Sequence, residues 1–123
     1  MNPINQNDEL LDFFKALADA NRLKIVGLLA QQPLTVEKLA AQLGLATSTT
    51  SHHLQMLAHV GLVSARPIGH YYEYSLQTDT LQEMAQRMLS RETLPLLSEA
   101  VDVDDMTGQA AVSLPDGPED GQR

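Results

Sequence analysis

The densest group of hydrogen-bonding side chains in the sequence is a run of five hydroxyl residues, 47–51, followed by His52 and His53. Serine and threonine rank below alanine as helix formers, so a helix that contains them gains little stability from them. Their short side chains can, however, donate hydrogen bonds to phosphate oxygens and base edges at close approach. These residue types therefore favour contact with nucleic acid.

Helical spacing divides these residues between two faces of one predicted helix, residues 47–60. We expect the face with Thr50, Leu54 and Leu57 to be buried. His53 lies on the flank of that face, where we expect a packed, hydrogen-bonded side chain. Neighbouring residues on a helix do not face each other, so the two adjacent histidines are not expected to chelate a metal. The outward face is expected to contact DNA, and its candidate residues are Thr47, Ser48, Ser51, His52 and Gln55.

A second group of candidate DNA contacts follows this helix. Segments 62–66 and 71–76 are rich in β-forming residues and are separated by residues 67–70, which predicts a hairpin with a four-residue turn. Arg66 and His70 flank that turn. We interpret the hairpin as a wing whose cation, Arg66, reaches phosphates or the minor groove, with His70 as a further candidate contact. A solvated loop with ordinary charges is the alternative.

Four other side chains complete the prediction around this group. Lys38 is close to the start of the predicted third helix and is a further candidate for a DNA backbone contact. Tyr72 and Tyr74 share one strand face, and we expect both to be packed. Tyr71 points to the other face and is expected to be more exposed.

Caps and breakers predict four helices before the hairpin and one after it. The first helix is predicted at residues 8–18, and the second begins after Asn21 as N-cap and ends before Pro33. The third has Thr35 as N-cap and ends at Gly44, and the fifth begins at Thr78. Two short helices joined by a tight turn and followed by a hairpin form a winged helix-turn-helix. The predicted fold is thus mainly α with a β-hairpin wing.

Length and composition restrict the class of protein further. The chain has 123 residues, which indicates one domain, and a domain this small leaves much apolar surface uncovered unless it dimerises. It contains no cysteine, which excludes disulfides and thiolate metal sites. No apolar run approaches the length of a membrane span, and the first ten residues are too polar for a signal peptide. We therefore expect a cytoplasmic homodimer without a membrane partner.

The chain is acidic, with a net charge of -8 at pH 7, and this opposes DNA binding. From residue 100 onward Arg123 is the single base, against six acids: Asp102, Asp104, Asp105, Asp116, Glu119 and Asp120. We predict a flexible N-terminus at 1–7, a DNA-binding and dimerisation domain at 8–99, and an acidic, disordered tail at 100–123. The tail is expected to aid solubility; recruitment of a partner or competition with DNA are the alternatives.

Three stretches resemble the ArsR/SmtB family of winged-helix repressors: FKALADANRLKI at 14–25, TTSHHLQMLAHVGLV at 49–63, and residues 66–76. The resemblance implies a homodimer formed by the first and last helices, which binds an inverted repeat in a promoter until an inducer releases it. It places DNA contacts at Thr47, Ser48, Ser51, His52 and Arg66. Relatives often carry serine as the cap at the position of Ala46, and here we expect Thr47 to take over that function.

The residues that usually sense a signal in this family are missing. Many relatives bind metals through cysteines, and others pair Asp and His ligands across the last helix. Here that helix offers Asp79, Glu83 and Glu92 but no histidine. We predict no cofactor and exclude soft metals, while a divalent cation held by carboxylates and histidine stays open. The effector is open as well, and control through a protein partner or the acidic tail is the alternative function. We find no arrangement of residues that predicts an enzyme.

Overall fold

The computed structural model describes residues 4–92 together with Leu94, Pro95 and Ser98. The elements are α1 (Ile4–Leu17), α2 (Ala20–Gln31), β1 (Leu34–Thr35), α3 (Val36–Leu43), α4 (Thr47–His59), β2 (Val63–Ile68), β3 (Tyr71–Leu76) and α5 (Thr78–Leu89). This is the predicted winged helix-turn-helix. Within the described part of the chain, no helix is long and apolar enough to cross a lipid bilayer. The predicted acidic tail lies outside the described residues.

The first two helices differ from the prediction at their starts. Helix α1 begins at Ile4, four residues before the predicted start. The N-cap of α2 is Asp19 and not Asn21, because α1 ends at Leu17 and leaves Asp19 in an extended conformation. Its carboxylate accepts hydrogen bonds from the backbone N–H groups of Asn21 at 2.9 Å and Arg22 at 3.1 Å. These bonds pair two N–H groups that the first turn of a helix otherwise leaves unpaired.

The turn between α3 and α4 follows the predicted pattern. The Thr35 hydroxyl accepts the backbone N–H of Lys38 at 3.2 Å and so caps α3. Gly44 ends α3 in the left-handed conformation, with φ of 71°, which glycine adopts without a steric penalty. Helix α4 begins directly at Thr47, so Thr47 does not replace Ala46 as the N-cap.

The hairpin is tighter than predicted. Strands β2 and β3 pair in register from Val63–Leu76 to Ile68–Tyr71, which leaves Gly69 and His70 as a two-residue turn instead of a four-residue one. Glycine at the first turn position, with φ of 61°, suits this hairpin geometry. The two-residue strand β1 was not predicted and pairs with β3, which gives the strand order β1-β3-β2.

Apolar side chains from α1 to α5 and from the strands form one core. Its fully buried members are Leu10, Ile25, Leu39, Leu54, Leu57 and Leu62. Helix α4 contributes Leu54 and Leu57, together with the buried Thr50. Burial of this one face leaves the rest of α4 at the surface, as its spacing predicted.

Candidate nucleic-acid interface

The outward face of α4 is a continuous polar surface. Thr47, Ser48, His52 and Gln55 are exposed, and Ser51 beside them is half-buried. On the opposite face Thr50 is fully buried, and its hydroxyl donates to the Ala46 carbonyl at 3.0 Å. The structure thus places all five predicted α4 contacts at the surface and the predicted scaffold residues in the core.

The N-terminus of α4 carries hydrogen-bond donors of its own. The first N–H groups of a helix have no acceptor within the helix, and the methyl group of Ala46 supplies none. The partial positive charge of the helix dipole is concentrated at the same end. Together these features favour an anion such as a phosphate close to Thr47 and Ser48.

His53 is buried on the flank of α4, as predicted. Its Nδ1 atom lies 3.2 Å from an Nη1 atom of Arg22 and 3.9 Å from a carboxylate oxygen of Asp19. The pKa of Asp19 is held below its ordinary value of 3.8, first because the carboxylate accepts the backbone N–H of Arg22. Partial burial acts in the opposite direction, while the nearby charge of Arg22 lowers the pKa further.

The wing carries the predicted cation in an ion pair. Arg66 and Glu73 face each other across β2 and β3, with an Nη2–Oε1 distance of 3.2 Å. The Arg66 side chain is 71% exposed, and Glu73 is largely covered at 23%. His70 is exposed at the turn, and Lys38 is exposed at the start of α3. Solvent and ligands therefore have access to all three predicted basic side chains.

The expectation for the wing tyrosines is wrong at one position. Tyr74 packs against the core, but Tyr72 is 59% exposed, about as much as Tyr71 at 56%. Strand β1 pairs with β3 only at Tyr74 and Glu73. Tyr72 lies nearer the turn, in the part of the hairpin that extends beyond the body of the domain.

A cavity of about 330 Å³ lies between α1, the end of α4, and α5. Its polar lining consists of Glu9, Asp12, His59, Glu83 and Arg87. Arg87 and Glu9 form an ion pair at 3.0 Å. His59, at the end of α4, lines this cavity together with Glu83 of α5, which the sequence did not predict. Within the described residues, no three His, Asp or Glu side chains are arranged to hold a metal ion.

Sequence comparison relates the chain to known regulators. The family described as bacterial regulatory protein, arsR family, matches residues 19–65, from the cap of α2 into the wing. A transcriptional repressor SmtB homolog from Synechocystis sp. is 40% identical over 73 residues, which cover 59% of this chain and 55% of that repressor. The match thus spans about half of its length. Transcriptional repressor SdpR from Bacillus subtilis is 34% identical over 77 residues, which cover 63% of this chain and 86% of SdpR.

A helix-turn-helix followed by an exposed hairpin defines a winged-helix DNA-binding protein. A solved homodimeric winged helix-turn-helix DNA-binding domain from Mycobacterium bovis has the same fold, with a TM-score of 0.59 and 33% identity over 72% of this chain and 83% of that one. The chain belongs to the arsR family of bacterial regulatory proteins. It is a DNA-binding transcriptional regulator, as predicted, and not an enzyme.

Proposed function

We propose that the protein is a repressor that binds an inverted repeat in a promoter as a homodimer, with α4 in the major groove. The observation that carries this proposal is the division of α4 into a buried apolar face and a polar face with Ser48, His52 and Gln55 exposed. The two relatives described above are named as transcriptional repressors, which supports repression over activation.

The candidate contacts divide into two types by position. The uncapped N-terminus of α4, with Thr47 and Ser48, suits a phosphate that fixes the helix in the groove. Ser51, His52 and Gln55, one turn or more further along, suit base edges. We assign backbone contacts to the exposed basic side chains of the wing and α3, which are Arg66, His70 and Lys38.

The dimer is proposed to form through α1 and α5. Phe14 in α1 and Leu89 in α5 are exposed in the protomer, Leu89 to 66%. Large exposed apolar side chains on neighbouring helices are typical of protein interfaces. The relative from Mycobacterium bovis is described as homodimeric, which supports a dimer of this chain.

The double variant S51A/H52A tests the recognition helix. Both changes remove side-chain donors from the polar face, while alanine maintains the helix. Each lost base contact costs about 1–3 kcal/mol, so we expect at least a tenfold loss of affinity for the promoter. Affinity is measured by titration of a promoter duplex and of a scrambled duplex, and folding is measured by thermal melting.

His59→Ala is the matched control, since His59 is exposed at the other end of α4 and is not assigned to DNA. Its affinity should equal that of the wild type. If S51A/H52A preferred the promoter over the scrambled duplex as strongly as the wild type does, α4 would be rejected as the recognition helix.

A further inference from the structure

One guanidinium group joins three parts of the fold. Arg22, in the first turn of α2, donates from Nε to the carbonyl of Ala16 and from Nη2 to that of Lys15 at 3.5 Å, at the end of α1. Its Nη1 atom lies 3.2 Å from Nδ1 of His53 on α4. Arg22 therefore connects the corner between α1 and α2 to the recognition helix.

The chemistry of this contact determines where the imidazole proton resides. A guanidinium has only donors, so Nδ1 of His53 must be the acceptor. The ring is then neutral, with its proton on Nε2. Asp19, whose oxygen lies 3.9 Å from the same Nδ1, accepts its hydrogen bonds from the backbone of α2 instead.

The Arg22–His53 hydrogen bond adds a directional contact to the apolar packing of α4. Leu54 and Leu57 are fully buried but are held by apolar packing, which has no directional preference. The Thr50 hydroxyl bonds to Ala46, just before α4, and so does not tie α4 to another helix. A hydrogen bond from Arg22 is directional, and its acceptor is adjacent in sequence to the DNA-facing His52.

We propose that Arg22 is a positioning residue for DNA recognition: through His53, it fixes the rotation of α4 about its axis and so the direction of Ser51 and His52. The proposal rests on the proposed function, since it assumes that α4 contacts DNA. It assigns Arg22 and His53 no DNA contact of their own.

Substitution of the acceptor gives the first test. His53→Leu removes it, and we expect about a tenfold loss of promoter affinity, the effect of one hydrogen bond from a charged donor. His53→Asn places an amide oxygen close to the position of Nδ1 and should restore most of that affinity. The duplex used is the region upstream of the gene, with a scrambled duplex for comparison. All measurements are made well below each variant's melting temperature.

His59→Leu and His59→Asn are the matched controls on the same helix, and both should bind as the wild type does. Full affinity of the folded His53→Leu variant would overturn the proposal. So would a His53→Asn variant that binds no better than His53→Leu while both remain folded.

The donor is tested through Arg22→Lys, which keeps the charge but cannot contact the α1 carbonyls and His53 at once. We expect it to lower promoter affinity about as much as His53→Leu does. Because both substitutions remove the same contact, the double variant should lose little more than either single variant. Fully additive losses would contradict a shared contact.

A spectroscopic test needs no DNA. In ¹⁵N-labelled protein at pH 7.5, long-range imidazole NMR spectra should show His53 neutral with the proton on Nε2, and Arg22→Lys should shift its Nδ1 resonance. A proton on Nδ1 would overturn the contact itself. If S51A/H52A instead retained promoter preference, the proposed function would fail while this spectrum remained as expected.

Discussion

At the scale of single residues, Asp19 combines two interactions that favour its ionised form. It caps α2 through two backbone N–H groups, and it lies beside the guanidinium of Arg22. Because its pKa is lower in the folded protein than in the unfolded chain, ionisation of Asp19 stabilises the fold above the unfolded pKa. This contribution disappears as the pH falls through the lowered folded value.

Two substitutions separate the cap from the charge. Asp19→Ala removes both and should lower the free energy of unfolding at pH 7 by about 1 kcal/mol, the usual cost of losing an N-cap. Asp19→Asn keeps a capping oxygen but does not titrate. Urea unfolding should therefore show a difference between wild type and Asp19→Asn at pH 7 that shrinks at pH 3. A difference independent of pH would contradict the lowered pKa.

The sequence predicted the environment of His53 but not its partners. Its position on the flank of α4 was enough to indicate a packed, hydrogen-bonded ring. Arg22 is 31 residues away in sequence, and only the packing of α2 against α4 brings the two together. The cap of α2 was wrong for a related reason: Asp19 and Asn21 are equally good N-caps, and the end of α1 decides between them.

At the scale of elements, the charge that the wing presents depends on one ion pair between β2 and β3. Arg66 is exposed, but its guanidinium contacts Glu73 on the neighbouring strand. A phosphate that approaches Arg66 must therefore also approach the carboxylate. We therefore expect Glu73 to limit the contribution of the wing to DNA affinity.

Glu73→Gln should raise affinity for DNA of any sequence, because it leaves Arg66 free to neutralise a phosphate. One added phosphate contact per protomer makes two in the proposed dimer. The dependence of log affinity on log salt concentration should therefore steepen by about 1.8, at about 0.9 per contact. Titrations at three salt concentrations measure this slope. Glu83→Gln, which removes the same charge from α5, is the control; an equal change there would indicate an effect of net charge alone.

The hairpin itself was predicted from β-forming residues on both sides of Gly69, but its turn was placed too wide. Pro67 suggested a turn, yet it lies within β2, an edge strand, where a residue without an N–H group is tolerated. The two residues of β1 are too few to form a pattern. The length of the turn and the pairing of β1 with β3 depend on tertiary contacts, which cannot be predicted from the local sequence.

At the scale of the whole molecule, the proposed dimer should depend on the exposed apolar side chains of α1 and α5. Leu89→Glu places a charge at such a position, so we expect a monomer at micromolar concentration by light scattering and weaker promoter binding. Gln86→Glu, also exposed on α5, adds the same charge and should remain a dimer. A dimeric Leu89→Glu variant would place the interface elsewhere.

The order of the five helices and the hairpin was predictable because several of their boundaries have a local signal, such as Thr35 and Gly44. No residue pattern predicted an effector site. The cavity between α1, α4 and α5 is lined by His59, Glu83 and Asp12 from three separate helices, and no local sequence motif predicts this grouping. The contribution of the acidic tail to solubility stays a prediction.

The separation of the two faces of α4 has a consequence for evolution and engineering. Its buried positions are few, namely Thr50, His53, Leu54 and Leu57, whereas most positions on its outward face are exposed. Operator preference can therefore diverge among gene duplicates without loss of foldability. Libraries randomised at Ser48, His52 and Gln55 should yield mostly folded proteins with altered target sequences.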